Sequence, residues 1–377
     1  MSSNLLHGFD FSYDEINSNS MTIRLLKFGG KEMNRNTIRN ISVLILVFLF
    51  SLGCANNYVS KDQIRLWPEI EPFENGYLKV SDIHEIYYEI CGNPKGKPVF
   101  VIHGGPGAGC TPEMRRFFNP EKFLIVLHDQ RGAGKSRPNA EIRENHTQNL
   151  VEDIERLRRK LKMGKIILFG GSWGSTLSLA YAETYPDNIS GMVLRGIWLS
   201  TKEEEENFWN GMPKFFPEAY ESLTNELPNS ALPPNSYSVL ELMQSKNQVD
   251  RNKYAKLVSR YEYKVSGLNV SEASLDEYYG LEKNMNEIYT SNFLEHYYAS
   301  NGCFLEEGQL LRDTYRIQNI QTIIVNGRYD VICPPIFAYR LHKKLPASKL
   351  IIAEEAGHSR SEKPIQRELL KAMVEFE

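Results

Sequence analysis

One pentapeptide constrains this chain more than any other stretch of its sequence: Gly170-Gly171-Ser172-Trp173-Gly174. It follows the strand-like run 165–169 and precedes residues 175–182, which are typical of a buried helix. A strand, a G-x-S-x-G turn and a helix together predict a nucleophile elbow, in which glycines permit a sharp turn that exposes the serine hydroxyl. Taken alone, the pattern could also be a glycine-rich turn that only permits close packing. The choice between this turn and a nucleophile elbow depends on the rest of the sequence.

Composition excludes several classes of protein. The chain is 41% hydrophobic and 24% charged, which is ordinary for a globular protein. Its net charge of −3 provides no basic surface, so nucleic acid is not an expected partner. The five cysteines lie far apart and form no CxxC pair, which argues against a zinc site and a dense disulfide framework. We expect no metal and no cofactor.

The first 66 residues carry a separate signal. Residues 1–32 are polar and without clear periodicity, and we expect them to be unstructured or to precede the true start. Residues 33–54 combine two early arginines with about a dozen apolar residues, as in a secretory signal that is short for a membrane span. The residues before Cys54 resemble a bacterial lipobox, which implies lipidation of Cys54, a tether over 55–66 and a protein anchored in the cell envelope, on the periplasmic side or the cell surface. A plain signal peptide or an anchoring segment is the alternative.

Beyond residue 66, strand-like runs alternate with helical stretches. Apolar strands are expected over 98–102, 123–127, 165–169 and 189–196, after an antiparallel hairpin over 77–90. This alternation predicts an α/β fold with a mostly parallel sheet and helices on both faces.

Two loops after these strands are candidates for function. The glycine loop after 98–102 contains Gly104 and Gly105, which could supply one backbone N–H of an oxyanion hole, and Trp173 could supply the other. Read alone, this loop could cradle a phosphate, but no Lys-Ser/Thr follows it as in a P-loop. In the loop after 123–127, Asp129 and Arg131 could be catalytic, but we expect them to brace a turn through a charge-assisted pair.

Six motifs occur in a characteristic order. They are His-Gly-Gly-Pro-Gly from 103, Asp-Gln-Arg-Gly from 129, Gly-Gly-Ser-Trp-Gly from 170, Leu-Arg-Gly-Ile from 194, Gly-Arg-Tyr-Asp from 327 and Ala-Gly-His-Ser from 356. In this order they resemble the proline iminopeptidase (prolyl aminopeptidase) family of α/β-hydrolase serine peptidases. The resemblance extends from about residue 67 to the C-terminus, and it implies a catalytic domain over 67–199 and 318–377 with a helical cap over 200–317.

The acid and the base are predicted from their places in the chain. Asp330 and His358 each follow a strand-like run, and the order Ser172, Asp330, His358 is that of α/β hydrolases. We expect Ser172 to be the nucleophile, His358 the general base and Asp330 the group that orients the imidazole. Epoxide hydrolases and dehalogenases are disfavoured, because those relatives have Asp where Ser172 stands.

The resemblance also implies a substrate with a free amino terminus. The family's Trp-Ser-x-Trp-Glu segment corresponds to 258–262, so Glu262 matches a glutamate that binds the α-amino group, although both tryptophans are replaced. Aligned on its His-Tyr pair, the family's Glu-Asn-His-Tyr-Phe segment places Leu294 at the second glutamate. Glu295 then falls one residue later, about 100° further round a helix. It is a candidate for the second amine-binding carboxylate, and the alternative is a surface glutamate that does not face the pocket. Cys333 resembles a pocket residue of the family.

These observations together favour a serine aminopeptidase that releases an N-terminal residue, preferentially proline, from short peptides through an acyl-enzyme. The alternative is an esterase or another small-substrate amide or ester hydrolase on the same triad, which Leu294 and the missing tryptophans favour. A third class is a surface lipoprotein that keeps the fold for binding.

Overall fold

The computed structural model describes residues 65–377, and three short strands before them pair antiparallel: Tyr13–Asp14, Leu25–Phe28 and Lys31–Glu32. These three strands lie within residues 1–32, where the sequence shows no clear periodicity. The predicted signal over 33–54, with Cys54, lies outside the described residues, as does the tether up to residue 64. Within residues 65–377, no helix has both the length and the apolar character needed to cross a membrane.

An eight-stranded sheet forms the centre of residues 65–377. Its strands are β1 (Glu74–Lys79), β2 (Glu85–Gly92), β3 (Lys97–Ile102), β4 (Phe123–His128), β5 (Ile166–Ser172), β6 (Ile189–Ile197), β7 (Thr322–Gly327) and β8 (Ser348–Ala353). They lie in the order β1-β2-β4-β3-β5-β6-β7-β8, and β2 alone in this sheet runs antiparallel to its neighbours. The predicted α/β-hydrolase fold is confirmed.

Eleven α-helices accompany the sheet in the described part of the chain. They are α1 (Thr147–Lys160), α2 (Trp173–Thr184), α3 (Lys202–Glu206), α4 (Pro217–Thr224), α5 (Ser236–Met243), α6 (Gln248–Val265), α7 (Glu272–Gly280), α8 (Met285–Ser300), α9 (Gln309–Arg312), α10 (Pro335–Lys344) and α11 (Lys363–Val374). Helices α1, α2 and α10 contribute to the apolar cluster on one face of the sheet, and α11 contributes to the cluster on the other.

Alternation along the central strands divides the core between the two faces. Phe100 and Leu168 belong to the cluster beneath α2, whereas Val99, Val101 and Ile167 belong to the cluster beneath α11. Successive side chains of a strand point to opposite faces, so a strand covered on both sides has to be apolar throughout. This explains the uninterrupted apolar runs in the sequence.

The cap has an apolar core of its own. Helices α3–α9 lie between β6 and β7, and residues such as Met243, Val258 and Phe293 pack together there. The end of this segment returns to the sheet, because Leu310 and Ile317 belong to the cluster beneath α2. The residues that form the core of the cap therefore lie in the first part of the predicted segment 200–317, and the last part of that segment packs against the sheet.

The predicted pair between Asp129 and Arg131 does not form. The carboxylate of Asp129 accepts the backbone N–H groups of Cys110 at 2.7 Å and Lys135 at 2.8 Å. Arg131 instead forms a bidentate pair with Asp153 of α1 at 2.6 and 2.8 Å. Both acidic side chains are buried, and each is satisfied by the donors that the fold brings to it rather than by its neighbour in sequence.

Candidate active site

Strand β5 and helix α2 meet at Ser172. This residue has φ 57° and ψ −129°, a backbone conformation that residues other than glycine rarely adopt. A Cβ on Gly170 would lie 2.3 Å from the carbonyl oxygen of Gly174, and a Cβ on Gly174 would lie 2.2 Å from that of Ile102. The glycines are therefore required for close backbone approach, and the turn has the geometry of a nucleophile elbow.

Two backbone N–H groups are available beside this serine. Gly105 and Trp173 line the same cavity as Ser172, and within residues 65–377 neither N–H donates to a backbone acceptor outside the regular elements. Trp173 is the first residue of α2, where an N–H has no intrahelical partner. The carbonyl of Gly104 accepts the N–H of Ala108 at 3.3 Å, which closes the loop. Gly105 and Trp173 therefore stay the candidate donors of the predicted oxyanion hole, and Gly104 takes part in the loop through its carbonyl oxygen.

The acid and the base are joined at the ends of β7 and β8. Nδ1 of His358 lies 2.9 Å from Oδ2 of Asp330, whose side chain has 0% exposure. Oδ1 of Asp330 accepts the N–H groups of Ile332 at 3.1 Å and Cys333 at 2.8 Å. A buried carboxylate on Nδ1 favours the imidazole tautomer in which Nδ1 carries the proton and Nε2 can accept one.

The nucleophile is close to this pair but is not yet bonded to it. Within residues 65–377, His358 Nε2 accepts a hydrogen bond from Nη1 of Arg195 at 3.2 Å and none from Ser172. The thiol of Cys333 contacts the Ser172 hydroxyl; burial raises the pKa of this thiol well above its usual value. Ser172, Arg195 and His358 all line one cleft of about 420 Å³. Catalytic hydrogen bonds without substrate are often loose and tighten when it binds.

Arg195 was not identified as a site residue from the sequence. Its Nη1 also donates to the carbonyl oxygen of His358 at 2.7 Å, and its guanidinium occupies the space in which a Cβ on Gly171 would stand. Arg195 belongs to the Leu-Arg-Gly-Ile motif, and this motif is the sequence feature from which it could have been identified as a site residue.

The loop that carries His358 is fastened to the cap. The backbone N–H groups of His358 and Ser359 both donate to the carbonyl oxygen of Ser266 at 2.8 Å, directly after α6. The carboxylate of Glu362 accepts the N–H of Gly357 at 2.8 Å and that of Leu268 at 3.0 Å. The position of the base therefore depends on the end of a cap helix.

Helices α6 and α8 place two glutamates in the cavity of the nucleophile. Glu262 and Glu295 both line this cavity with Ser172, and their carboxyl groups hydrogen-bond to each other. Leu294 is 1% exposed and packs in the cap's apolar cluster. Helix α8 directs Leu294 to the cap core and the next residue to the cavity, so the candidate Glu295 faces the pocket despite the one-residue offset.

Burial raises the pKa of both carboxyl groups. For Glu262, the charge of His358 and the hydrogen bond from Glu295 oppose the rise. For Glu295, the rise takes the pKa well above its usual value, and the charge of Glu262 adds to it. Two adjacent carboxylates cannot readily ionise together, so Glu295 keeps its proton to a higher pH than Glu262 does.

Apolar side chains complete the cavity beside the serine. Trp198, Phe208 and Ile332 line it, with His296 among the polar residues of the wall. Burial lowers the pKa of His296 to about 3, so this imidazole is neutral. Cys91, Cys110, Cys303 and Cys333 are free thiols, and residues 65–377 contain no cluster of metal-ligating side chains. Cys333 lies beneath the nucleophile rather than in the cavity wall.

Known proteins share both the sequence and the fold. The family model described as the alpha/beta hydrolase fold matches residues 97–362. A probable proline iminopeptidase of Leptolyngbya boryana is 43% identical over 83% of this chain and 97% of its own length. The proline iminopeptidase of Arabidopsis thaliana is 40% identical over 84% of this chain and 83% of its own.

Solved structures show the same fold at low identity. An esterase from Exiguobacterium antarcticum superimposes with a TM-score of 0.53 at 20% identity, covering 80% of this chain and 98% of its own. A bromoperoxidase from Bacillus anthracis gives a TM-score of 0.56 at 20% identity, over 80% of this chain and 99% of its own.

The elbow predicts a single reactive serine. A fluorophosphonate probe should label Ser172, because this hydroxyl lies beside a base and two oxyanion donors. Ser172→Ala should abolish labelling, whereas Ser190→Ala, at an exposed serine of β6, should label like the wild type. Asp330→Asn should keep the fold and slow labelling by about three to four orders of magnitude, since the imidazole loses its tautomer. Peptide mass spectrometry locates the adduct, and an adduct on any other serine would contradict the assignment.

Proposed function

Because the chain belongs to the proline iminopeptidase family of α/β hydrolases, we propose that it is a serine aminopeptidase that releases an N-terminal residue, preferentially proline, from short peptides. One observation carries the proposal most directly: the Glu262–Glu295 pair lies in the cavity of Ser172. A buried pair with a net negative charge is suited to a substrate ammonium, and a simple ester hydrolase has no use for it.

The chemistry follows from the geometry of the triad. As Ser172 Oγ attacks the scissile carbonyl, its proton passes to Nε2 of His358, and the imidazolium is stabilised by Asp330. The oxyanion accepts the N–H groups of Gly105 and Trp173; losing one such donor typically costs about 3–4 kcal/mol of transition-state stabilisation. His358 then returns the proton to the leaving amine. Water, activated by the same base, releases the acyl group.

The position of the glutamates accounts for cleavage at the chain end. Glu262 and Glu295 bind the α-amino group, and Trp198 and Phe208 line the same cavity. A residue ahead of the bound one would convert the ammonium into a neutral amide, which cannot form an ion pair with the carboxylates. The enzyme therefore cleaves a peptide only after its first residue.

A panel of substrates tests the proposal. Proline and alanine arylamides should both be hydrolysed, proline faster, and N-acetylproline arylamide should not, since its amide cannot pair with the glutamates. If short p-nitrophenyl esters are hydrolysed and no arylamide is, the aminopeptidase assignment is wrong and the protein is an esterase. A lack of turnover on all substrates would indicate a binding protein.

Substitution of either glutamate should weaken the binding of free amines. We expect Glu262→Gln to raise KM for proline arylamide at least about tenfold, the loss typical of a charge-assisted hydrogen bond, and to leave p-nitrophenyl acetate hydrolysis nearly unchanged. Glu282→Gln, at an exposed glutamate of the cap, is the matched control. An equal loss on both substrates would mean that Glu262 has a structural role.

The raised pKa of Glu295 gives this binding a pH dependence. As the pH rises through that pKa, Glu295 loses its proton and the pair gains a negative charge, so KM for a free amine should fall with rising pH. Glu295→Gln removes the titrating group and should flatten that part of the KM profile, which steady-state kinetics across the pH range measures. A profile that keeps its wild-type shape in Glu295→Gln would contradict this assignment.

We further propose that the protein is exported and anchored in a bacterial cell envelope through Cys54. Support comes from the sequence alone, in the basic start, apolar run and small residues of 33–54. Metabolic labelling with a radioactive fatty acid should mark the wild type and not Cys54→Ser, and fractionation should move that variant from membrane to soluble fractions. Equal labelling, or no labelling of either protein, would refute the lipid anchor.

A further inference from the structure

Two arginines stand in the cleft without a carboxylate partner. Within residues 65–377, Arg195 is bonded to the ring and carbonyl of His358, and Nη2 of Arg360 donates to the hydroxyl of Thr111 at 3.2 Å. Nε of Arg360 is buried and has no hydrogen-bond partner. Neither guanidinium forms an ion pair in the described part of the chain.

The arginines that are fully buried in the described part of the chain are both neutralised. Arg115 pairs with Glu89 at 2.7 Å, and Arg131 pairs with Asp153 at 2.6 Å. A cationic group taken out of water is costly unless an anion compensates it. Arg195 and Arg360 are partly buried in the wall of the cleft and differ from these two in having no carboxylate partner.

The two unpaired cations are also close to one another. Both line the cleft with Ser172 and His358, and both line the small cavity behind Gly104. Burial lowers the pKa of Arg195, and the charge of Arg360 lowers it as well, although Asp330 acts in the opposite direction. Adjacent like charges repel, and an anion placed between them would remove the repulsion.

The position of Arg195 identifies which part of a substrate could supply that anion. Its Nη1 lies 3.2 Å from Nε2 of His358, the atom that must give a proton to the leaving nitrogen. In a dipeptide, the carboxylate carbon is two bonds from that nitrogen. A carboxylate there would lie within reach of Arg195, with Arg360 beside it.

We propose that Arg195 and Arg360 bind the terminal carboxylate of a short peptide, so that the enzyme prefers dipeptides with a free carboxyl end. This inference rests on the proposed aminopeptidase function. The cleft then recognises a zwitterion, with the ammonium at Glu262 and Glu295 and the carboxylate at the arginines. When Arg195 turns to the carboxylate, Nε2 of His358 becomes free to accept the proton of Ser172.

The test compares two substrates that differ only in the terminal group. Prolylglycine and prolylglycine amide have the same proline and the same scissile bond, and only the first has a carboxylate. We expect the wild type to hydrolyse the free acid with a kcat/KM at least about tenfold higher, the factor that one charge-assisted contact provides. The difference should shrink with added salt, since the recognition is electrostatic.

Variants assign the preference to the cleft. Arg360→Gln should bring the ratio of the two kcat/KM values close to one, and Arg360→Lys should keep part of it because the charge remains. Arg367→Gln, on the partly exposed face of α11, is the matched control and should keep the full ratio. An unchanged ratio in Arg360→Gln would overturn the role of that residue.

The wild-type comparison remains decisive even where a variant does not fold. Equal rates on the two dipeptides, or a faster amide, would overturn the carboxylate site and leave the aminopeptidase in place. If proline arylamide is hydrolysed and neither dipeptide is cleaved, the carboxylate site is likewise overturned and the aminopeptidase assignment stands. Only the loss of turnover on all three would refute the proposed function, and the carboxylate site with it.

Discussion

The buried carboxylate of Asp330 is the interaction on which the site depends. It receives three N–H groups, from the backbone of Ile332 and Cys333 and from the ring of His358. Such a charge is tolerated only while all of its acceptors are used. The turn after β7 supplies two donors and the loop after β8 supplies the third, so the same contact folds the turn, orients the imidazole and selects its tautomer.

A cap helix determines where that imidazole stands and also what the site recognises. Ser266, whose carbonyl holds the loop of His358, follows Glu262 by four residues, about one turn of α6. A shift of α6 would therefore move the amine-binding carboxylate and the base together. Cap and catalytic domain have separate apolar cores, yet this helix couples substrate recognition to the proton acceptor.

The sequence was sufficient for the parts of this site that depend on local backbone and chain order. The turn at Ser172 needs its glycines, and an acid and a base at the ends of successive parallel strands must meet at one edge of the sheet. Side-chain direction was harder. The one-residue offset left open whether Glu295 faces the cavity, because tertiary packing decides which face of α8 meets the cap core. Asp129 was expected to pair with Arg131, a sequence neighbour, and the packing of α1 provides Asp153 as the partner instead.

The arginines were missed for a different physical reason. Arg360 looks like an ordinary charge in the sequence, and only the fold shows that no carboxylate within residues 65–377 has been placed against it. Glu295, whose pKa is raised by burial and by the charge of Glu262, is the corresponding departure among the carboxyl groups of the cleft. A short zwitterionic peptide compensates both, because its ammonium meets the acidic pair and its carboxylate meets the cations. The acidic and basic groups of the cleft therefore match, in sign, the two charged ends of such a peptide.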